Sequence, residues 1–105
     1  MNVIGIQVLD AVTRFHEIGI HEITMRKRDQ RIARARQMLC YMLRKHAKMS
    51  YQRIGKALGL DHSTVIYHYQ MVKYAADPNA ILEREQMEEF YKMLSRSEYD
   101  EKIPF

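Results

Sequence analysis

Three consecutive residues, Asp61, His62 and Ser63, bring together a carboxylate, an imidazole and a hydroxyl. Nucleophilic catalysis needs such groups to converge within hydrogen-bond reach. Successive side chains on a helix diverge by about 100°, so these three cannot serve one another. No other Ser, His and Asp grouping stands out. A phosphate-cradling loop is missing too: Gly55 precedes Lys56, but the position five before Gly55 is Ser50. Five histidines and one cysteine, Cys40, are scattered without zinc-ligand spacing. The expectation is therefore a protein that is not an enzyme and holds no metal, nucleotide or other cofactor.

The same residues suit the start of a helix that reads another molecule. In "MSYQRIGKALGLDHSTVIYHYQ", two short helices joined by a tight turn need a small residue at their crossing, a residue that accepts a left-handed turn, and shared apolar contacts. Gly55 supplies the close approach and Gly59 the turn. Ile54, Leu58, Leu60 and Val65 supply the contacts. With Val65 inward, Ser63, Tyr67, Gln70 and Tyr74 point outward, and His68 lies nearer the Val65 side. His62 and Ser63 fall at the helix N-terminus, the end that enters the major groove in helix-turn-helix proteins. Asp61 fits two roles, a helix cap or an acceptor from a cytosine amino group.

The elements that must position this corner all show helical spacing, and none alternates like a strand. Ile4, Val8, Val12 and Phe15 recur at steps of four, four and three in a first helix that Gly19 should end. "IHEITM" is long enough for a turn or one helical turn, and Arg26, Lys27 and Arg28 should lie on a loop. "RIARARQMLCYMLRKHA" is the strongest helix, with Ile32, Ala35, Leu39, Met42, Leu43 and His46 on one stripe. Ser50 should cap the next helix and Gly59 end it. Asp61 or Ser63 should cap the following one, with Val65, Tyr69, Val72 and Ala76 on its inner face. Asp77 and Pro78 mark a restart. The last helix should run to about Leu94 with Leu82, Phe90 and Met93 inward, and "SEYDEKIPF" should fray. The fold class is all-α, a single domain of five or six helices containing a helix-turn-helix. Residues 1–76 form its body, and residues 77–105 an acidic helix and tail packing on it.

At 105 residues the chain suffices for one compact domain. No apolar run approaches the roughly 20 residues of a membrane helix, and the N-terminus lacks a secretory signal. One cysteine excludes an internal disulfide framework and suits a reducing compartment, so a cytoplasmic, nucleoid-associated location is expected. The net charge of +4 is unevenly spread. Residues 1–76 hold 13 basic and 5 acidic groups, whereas residues 77–105 hold 4 basic and 8 acidic ones. Residues 26–56 hold 11 Lys or Arg against Asp29 alone. A single-sign field so concentrated is the footprint of a polyanion partner.

"RIARARQMLCYMLRK…MSYQRIGKALGLDHSTVIYH" closely resembles the C-terminal DNA-binding domain of the bacterial chromosomal replication initiator DnaA. That family carries, in this order, a basic loop, an "ARQ" helix, an "S-x-x-x-IG" helix and a "DHSTV" signature, and the likeness covers about Val8 to Ala76. The resemblance implies an all-α domain that binds short double-stranded DNA boxes, helix-turn-helix in the major groove and a loop arginine in the minor groove. It makes Arg28 that arginine, and Asp61, His62, Ser63 and Thr64 the groove-facing group. Arg36, Gln37 and Arg44 would contact phosphates, and Tyr67 and His68 would add backbone or base contacts. There are departures. Leu60 stands where the family usually has arginine, the turn is one residue shorter, Asp29 and Gln30 interrupt the basic loop, and the acidic segment after Ala76 has no clear counterpart. No ATP-binding domain fits in this length. The expectation is a small replication- or transcription-related regulator, bacterial or mobile-element encoded, whose partner is double-stranded DNA. The alternative is a protein-interaction module that docks a protein partner on the acidic last helix and keeps the corner as scaffold.

Overall fold

The computed structural model describes residues 1–25 and 29–99, which form six α-helices and one π-helical turn. The helices are α1 (Val3–His16), α2 (Ile20–Thr24), α3 (Gln30–Lys45), α4 (Tyr51–Leu58), α5 (His62–Lys73) and α6 (Pro78–Leu94), and the π-helical turn spans Ser95–Tyr99. Among the described residues there is no strand, so the all-α expectation holds.

Local chemistry sets most helix starts. The side-chain oxygen of Asn2 accepts from Gly5 N at 2.7 Å, Asp29 from Arg31 N at 2.8 Å, Ser50 from Arg53 N at 3.2 Å and Asp77 from Ala80 N at 3.2 Å. Each satisfies an amide that the helix itself leaves open. Asp29, an interruption of the basic loop in sequence, is thus the cap of α3. The end of α1 differs from expectation. Glu17 rather than Gly19 takes the left-handed turn, at φ 54°, and Ile18 N closes back onto Thr13 O at 3.0 Å. A non-glycine residue there costs about 1–2 kcal/mol, offset by seating Ile18 in the core at 5% exposure. Gly19 instead precedes α2, where its N–H donates to Glu22 Oε1.

α3 is the axis of the molecule, packed by α1, α2, α4 and α5. Its expected stripe is buried at Ile32, Ala35, Leu39, Met42 and Leu43, while His46 is half-buried. Met38, Cys40 and Tyr41 are buried as well. A helix surrounded by neighbours buries more than one stripe.

α6 departs further from expectation. Leu82 and Met93 are 51% and 54% exposed, and Met87 and Leu94 are buried in their place. Leu82 and Met93 stand about 140° and 120° around the helix from Met87, so burying Met87 turns both outward. Phe90 packs half-buried against Phe15, ring centroids 5.8 Å apart. Ile4 is 45% exposed because the first turn of α1 projects past the core, and Ala76 is exposed because α5 ends at Lys73. The tail does not fray at Ser97–Tyr99. Tyr99 Oη donates to Gln7 O at 3.0 Å and Asp10 Oδ2 at 2.9 Å, and Arg14 reaches both carboxylate oxygens of Glu98.

Candidate nucleic-acid interface

The corner between α4 and α5 is closed by backbone contact. Gly59 ends α4 at φ 69°, and its N–H and that of Leu60 both return to Gly55 O, the latter at 2.8 Å. A Cβ on Gly55 would lie 2.5 Å from Leu60 O, so only glycine fits. Ile54 and Val65 are fully buried, Leu58 nearly so, and Leu60 packs partly against them.

Val65 is the inward anchor of α5. Tyr69 follows it, stacked on Tyr41 at 5.7 Å and edge-on to Tyr51 at 5.8 Å. The opposite face stands open as the spacing implies: Ser63 and Gln70 are exposed, Tyr67 is 59% exposed and Tyr74 69%. At the N-terminal end Asp61 and His62 are exposed and Thr64 is half-buried. Asp61 occupies the cap position, but its carboxylate accepts no bond from the α5 amides. It is thereby free to accept from something else. His68 is half-buried with Nδ1 unpartnered, and burial pushes its pKa down, the Arg36 charge adding to that.

The three residues matched to phosphate contacts differ in setting. Arg36 is half-buried and donates through Nε to Ile23 O at 2.9 Å and through Nη2 to Met25 O. It ties α3 to the chain just ahead of the basic loop. Arg44 donates to Met49 O at 3.1 Å, and its guanidinium lies 4.5 Å over the Tyr51 ring. Gln37 is half-buried beside a cavity of about 230 Å³ that Arg34, Met38 and Asp77 also line. Arg28 lies outside the described residues. Lys45 is engaged too, its Nζ 2.6 Å from Glu88 Oε1, which also accepts from Tyr41 Oη at 2.9 Å. Arg31, Arg34, Lys48, Arg53 and Lys56 are exposed, and among the described residues none forms an ion pair with a carboxylate. No cluster of three potential metal ligands occurs among the described residues, and no described helix is long and apolar enough to cross a membrane.

The family described as the bacterial dnaA protein helix-turn-helix matches residues 6–72, which include the whole corner. The chain belongs to that family. It is similar to the chromosomal replication initiator protein DnaA of Thermoanaerobacter sp. (strain X514), 31% identical over 87 residues, 83% of this chain and 19% of the relative. Against DnaA of Streptococcus pyogenes serotype M1 it is 39% identical over 75 residues, 70% of this chain and 17% of the relative. The chain thus spans about a fifth of the length of these curated relatives. An 87-residue match cannot end at Ala76, so part of the acidic segment does have a counterpart in the DnaA relatives. Its sequence signal is weak because α6 keeps only Met87 and Leu94 fully inward.

In the dnaA helix-turn-helix frame, two exposed side chains beside the corner escaped the sequence reading. Gln52 and Lys56 line a shallow groove with Gly55, Gly59, Leu60, Asp61 and His62. Their spacing of four places both on one face of α4, a signal available in sequence once the α4 register is fixed by Ile54 and Leu58. Leu60, where the family usually carries arginine, packs toward the core, so cationic character at this corner comes from Lys56 instead.

Proposed function

We propose that this chain binds double-stranded DNA with sequence preference and without nucleotide, metal or catalysis, as a small regulator of replication or transcription. The N-terminal end of α5 enters the major groove and presents Asp61, His62, Ser63 and Tyr67 to base edges. Thr64 and His68, half-buried, shape the root of that surface. Arg53 and Lys56 on α4, with Lys48 and Arg34, lie against phosphates. Arg28 in the basic loop reaches the neighbouring minor groove, where a narrow A·T-rich groove attracts arginine. Arg36 and Arg44 hold the end of α2 and the start of α4 against α3 and add positive potential, and Gln37 lies beside them on α3. The observation that carries the reading is the exposed face of α5 beside unpaired cations of α4, on a corner whose backbone closure leaves one geometry.

Selection of bound duplexes from a random library tests this, followed by affinity measurements across salt concentrations. With Arg34, Lys48, Arg53 and Lys56 on phosphates, log K against log[salt] is expected to slope at about −3 to −4. No enriched sequence and a slope near zero would overturn the reading. The outer side of α6 favours the second reading, protein docking, because Phe15, Phe90 and Met93 line an apolar groove there. That reading would gain from a chain that ignores duplexes.

A further inference from the structure

α5 is held at two ends by different means. Its N-terminal end is locked through the Gly55–Leu60 contact and Val65. The last carbonyls of a helix lack amide partners of their own. In α5, Val72 O, which the Ala75 amide reaches only at 3.5 Å, and Lys73 O both accept from one nitrogen, Nη1 of Arg84 on α6, each at 2.9 Å. A cation at a helix C-terminus also meets the negative end of the helix dipole. α6 is itself anchored to the body of the protein. Met87 and Leu94 are buried, and Glu88 is bonded to Lys45 and Tyr41 of α3. Arg84 therefore connects the far end of α5 to a fixed element, although it lies beyond the residues 6–72 that the family matches.

We propose that Arg84 is a positioning residue for sequence recognition: it fixes the tilt of α5 about the corner. The proposal rests on the DNA-binding reading above and extends it to the acidic helix, which then contributes to specificity without touching DNA. The lever arm gives this its size. Gln70 lies eight residues beyond His62, about 12 Å along the helix, so a tilt of about 10° pivoting at the corner moves it by about 2 Å. Recognition geometry tolerates displacements of only about 0.5 Å. His62, close to the pivot, moves little. Loss of Arg84 should blur the base positions read by Tyr67, on the moving part of the helix, more than those read by His62 and Ser63.

The test repeats the duplex selection and the affinity measurements with Arg84→Ala and Arg84→Lys, each shown to be folded by circular dichroism. For Arg84→Ala, affinity for the duplex preferred by the wild-type chain should fall about tenfold. Affinity for a random duplex and the salt slope should stay unchanged. The lost preference should sit on one side of the selected site. Arg84→Lys, which keeps a cationic donor, should restore most of the discrimination. Folded Arg84→Ala with wild-type discrimination, or with equal loss on both duplexes, would overturn the positioning role. Should Arg84→Ala fail to fold, Arg84→Met, which keeps the apolar stem, takes its place. Failure of that variant to fold as well would make the contact a folding requirement and overturn the proposal. If the wild-type chain itself selects no duplex, the DNA reading fails, an outcome distinct from wild-type behaviour in the variant.

Discussion

The carbonyl oxygen of Leu60 lies 2.5 Å from the point where a Cβ on Gly55 would sit. That carbonyl belongs to the backbone of the turn and cannot swing away as a side chain can. Gly55→Ala is therefore expected to destabilise the fold by about 1–3 kcal/mol, in the range of core overpacking. Gly59→Ala meets no atom within 4 Å and carries only the strain of φ 69°, about 1–2 kcal/mol. Urea unfolding of the two variants measures both. A wild-type midpoint for Gly55→Ala would mean that the corner is not closed as described.

Asp61 makes no bond to the amides of α5, so Asp61→Asn should leave the unfolding midpoint unchanged. Its effect is expected on the preferred duplex alone, as an altered base preference, because an amide donates where a carboxylate only accepts. His62→Ala and Ser63→Ala should each cost about 1–3 kcal/mol on the preferred duplex and little on random DNA. Equal losses on both duplexes for all three would remove the reading role from this group.

The cations divide into those that hold the scaffold and those that face solvent. Arg36→Ala and Arg44→Ala remove charged hydrogen bonds to backbone carbonyls. Each should lower stability by about 1–2 kcal/mol and change the salt slope by well under one unit. Arg53→Ala and Lys56→Ala, both exposed, should leave stability unchanged and make the slope shallower by about one unit each. Reversed behaviour of the two pairs would show that Arg36 and Arg44 leave their carbonyls to meet phosphate.

Acid should loosen the protein in two stages. Burial lowers the pKa of His16, His46 and His68 below 6.5. Glu83 opposes this at His16, and Glu88 opposes it at His46, where Lys45 and Lys92 assist burial. At His68 the Arg36 charge adds to it. Below about pH 6.5 the unfolded chain thus takes up more protons than the folded one, and stability falls with pH. Burial alone would raise the Glu88 pKa, but hydrogen bonds from Lys45 and Tyr41 outweigh it and hold it below 4.5. That contribution is present above 4.5 and is lost as pH falls through the lower folded value. Thermal melts should drop as pH falls below about 6.5 and again below about 4.5, and His16→Gln with His46→Gln should flatten the first drop. A melting temperature constant down to pH 5.5 would contradict this.

The corner was legible in the sequence because each of its positions permits few residue types. Gly55 and Gly59 answer to backbone geometry, and Ile54, Leu58 and Val65 to a periodic inner face. Caps at Ser50 and Asp77 were legible for the same reason. The centre of the inward face of α6 was not, because Leu82, Met93, Phe90, Leu94 and Met87 spread over an arc of about 140°, wider than the part that is buried, so spacing alone does not say which edge of it turns inward. Only contact with the rest of the fold, α1 above all, selects Met87 and Leu94. The engagement of Arg36 and Arg44 was hidden too, since a guanidinium on a carbonyl ten or more residues away, or across a turn, leaves no mark in spacing. Glu17 illustrates the same limit, a left-handed turn chosen by where Ile18 must go rather than by its own preference.

Cys40 sits at 0% exposure in the middle of α3, and burial pushes its thiol pKa up to about 12. Only the thiolate reacts with disulfide reagents, so a folded molecule is silent to them at neutral pH, and the helix must leave the core before labelling begins. The molecule therefore carries a stopwatch for its own opening. The labelling rate, followed by mass, should track the opening equilibrium. A bound duplex should slow that clock in proportion to its occupancy, giving a reading of DNA engagement that needs no dye, no tag and no immobilised partner.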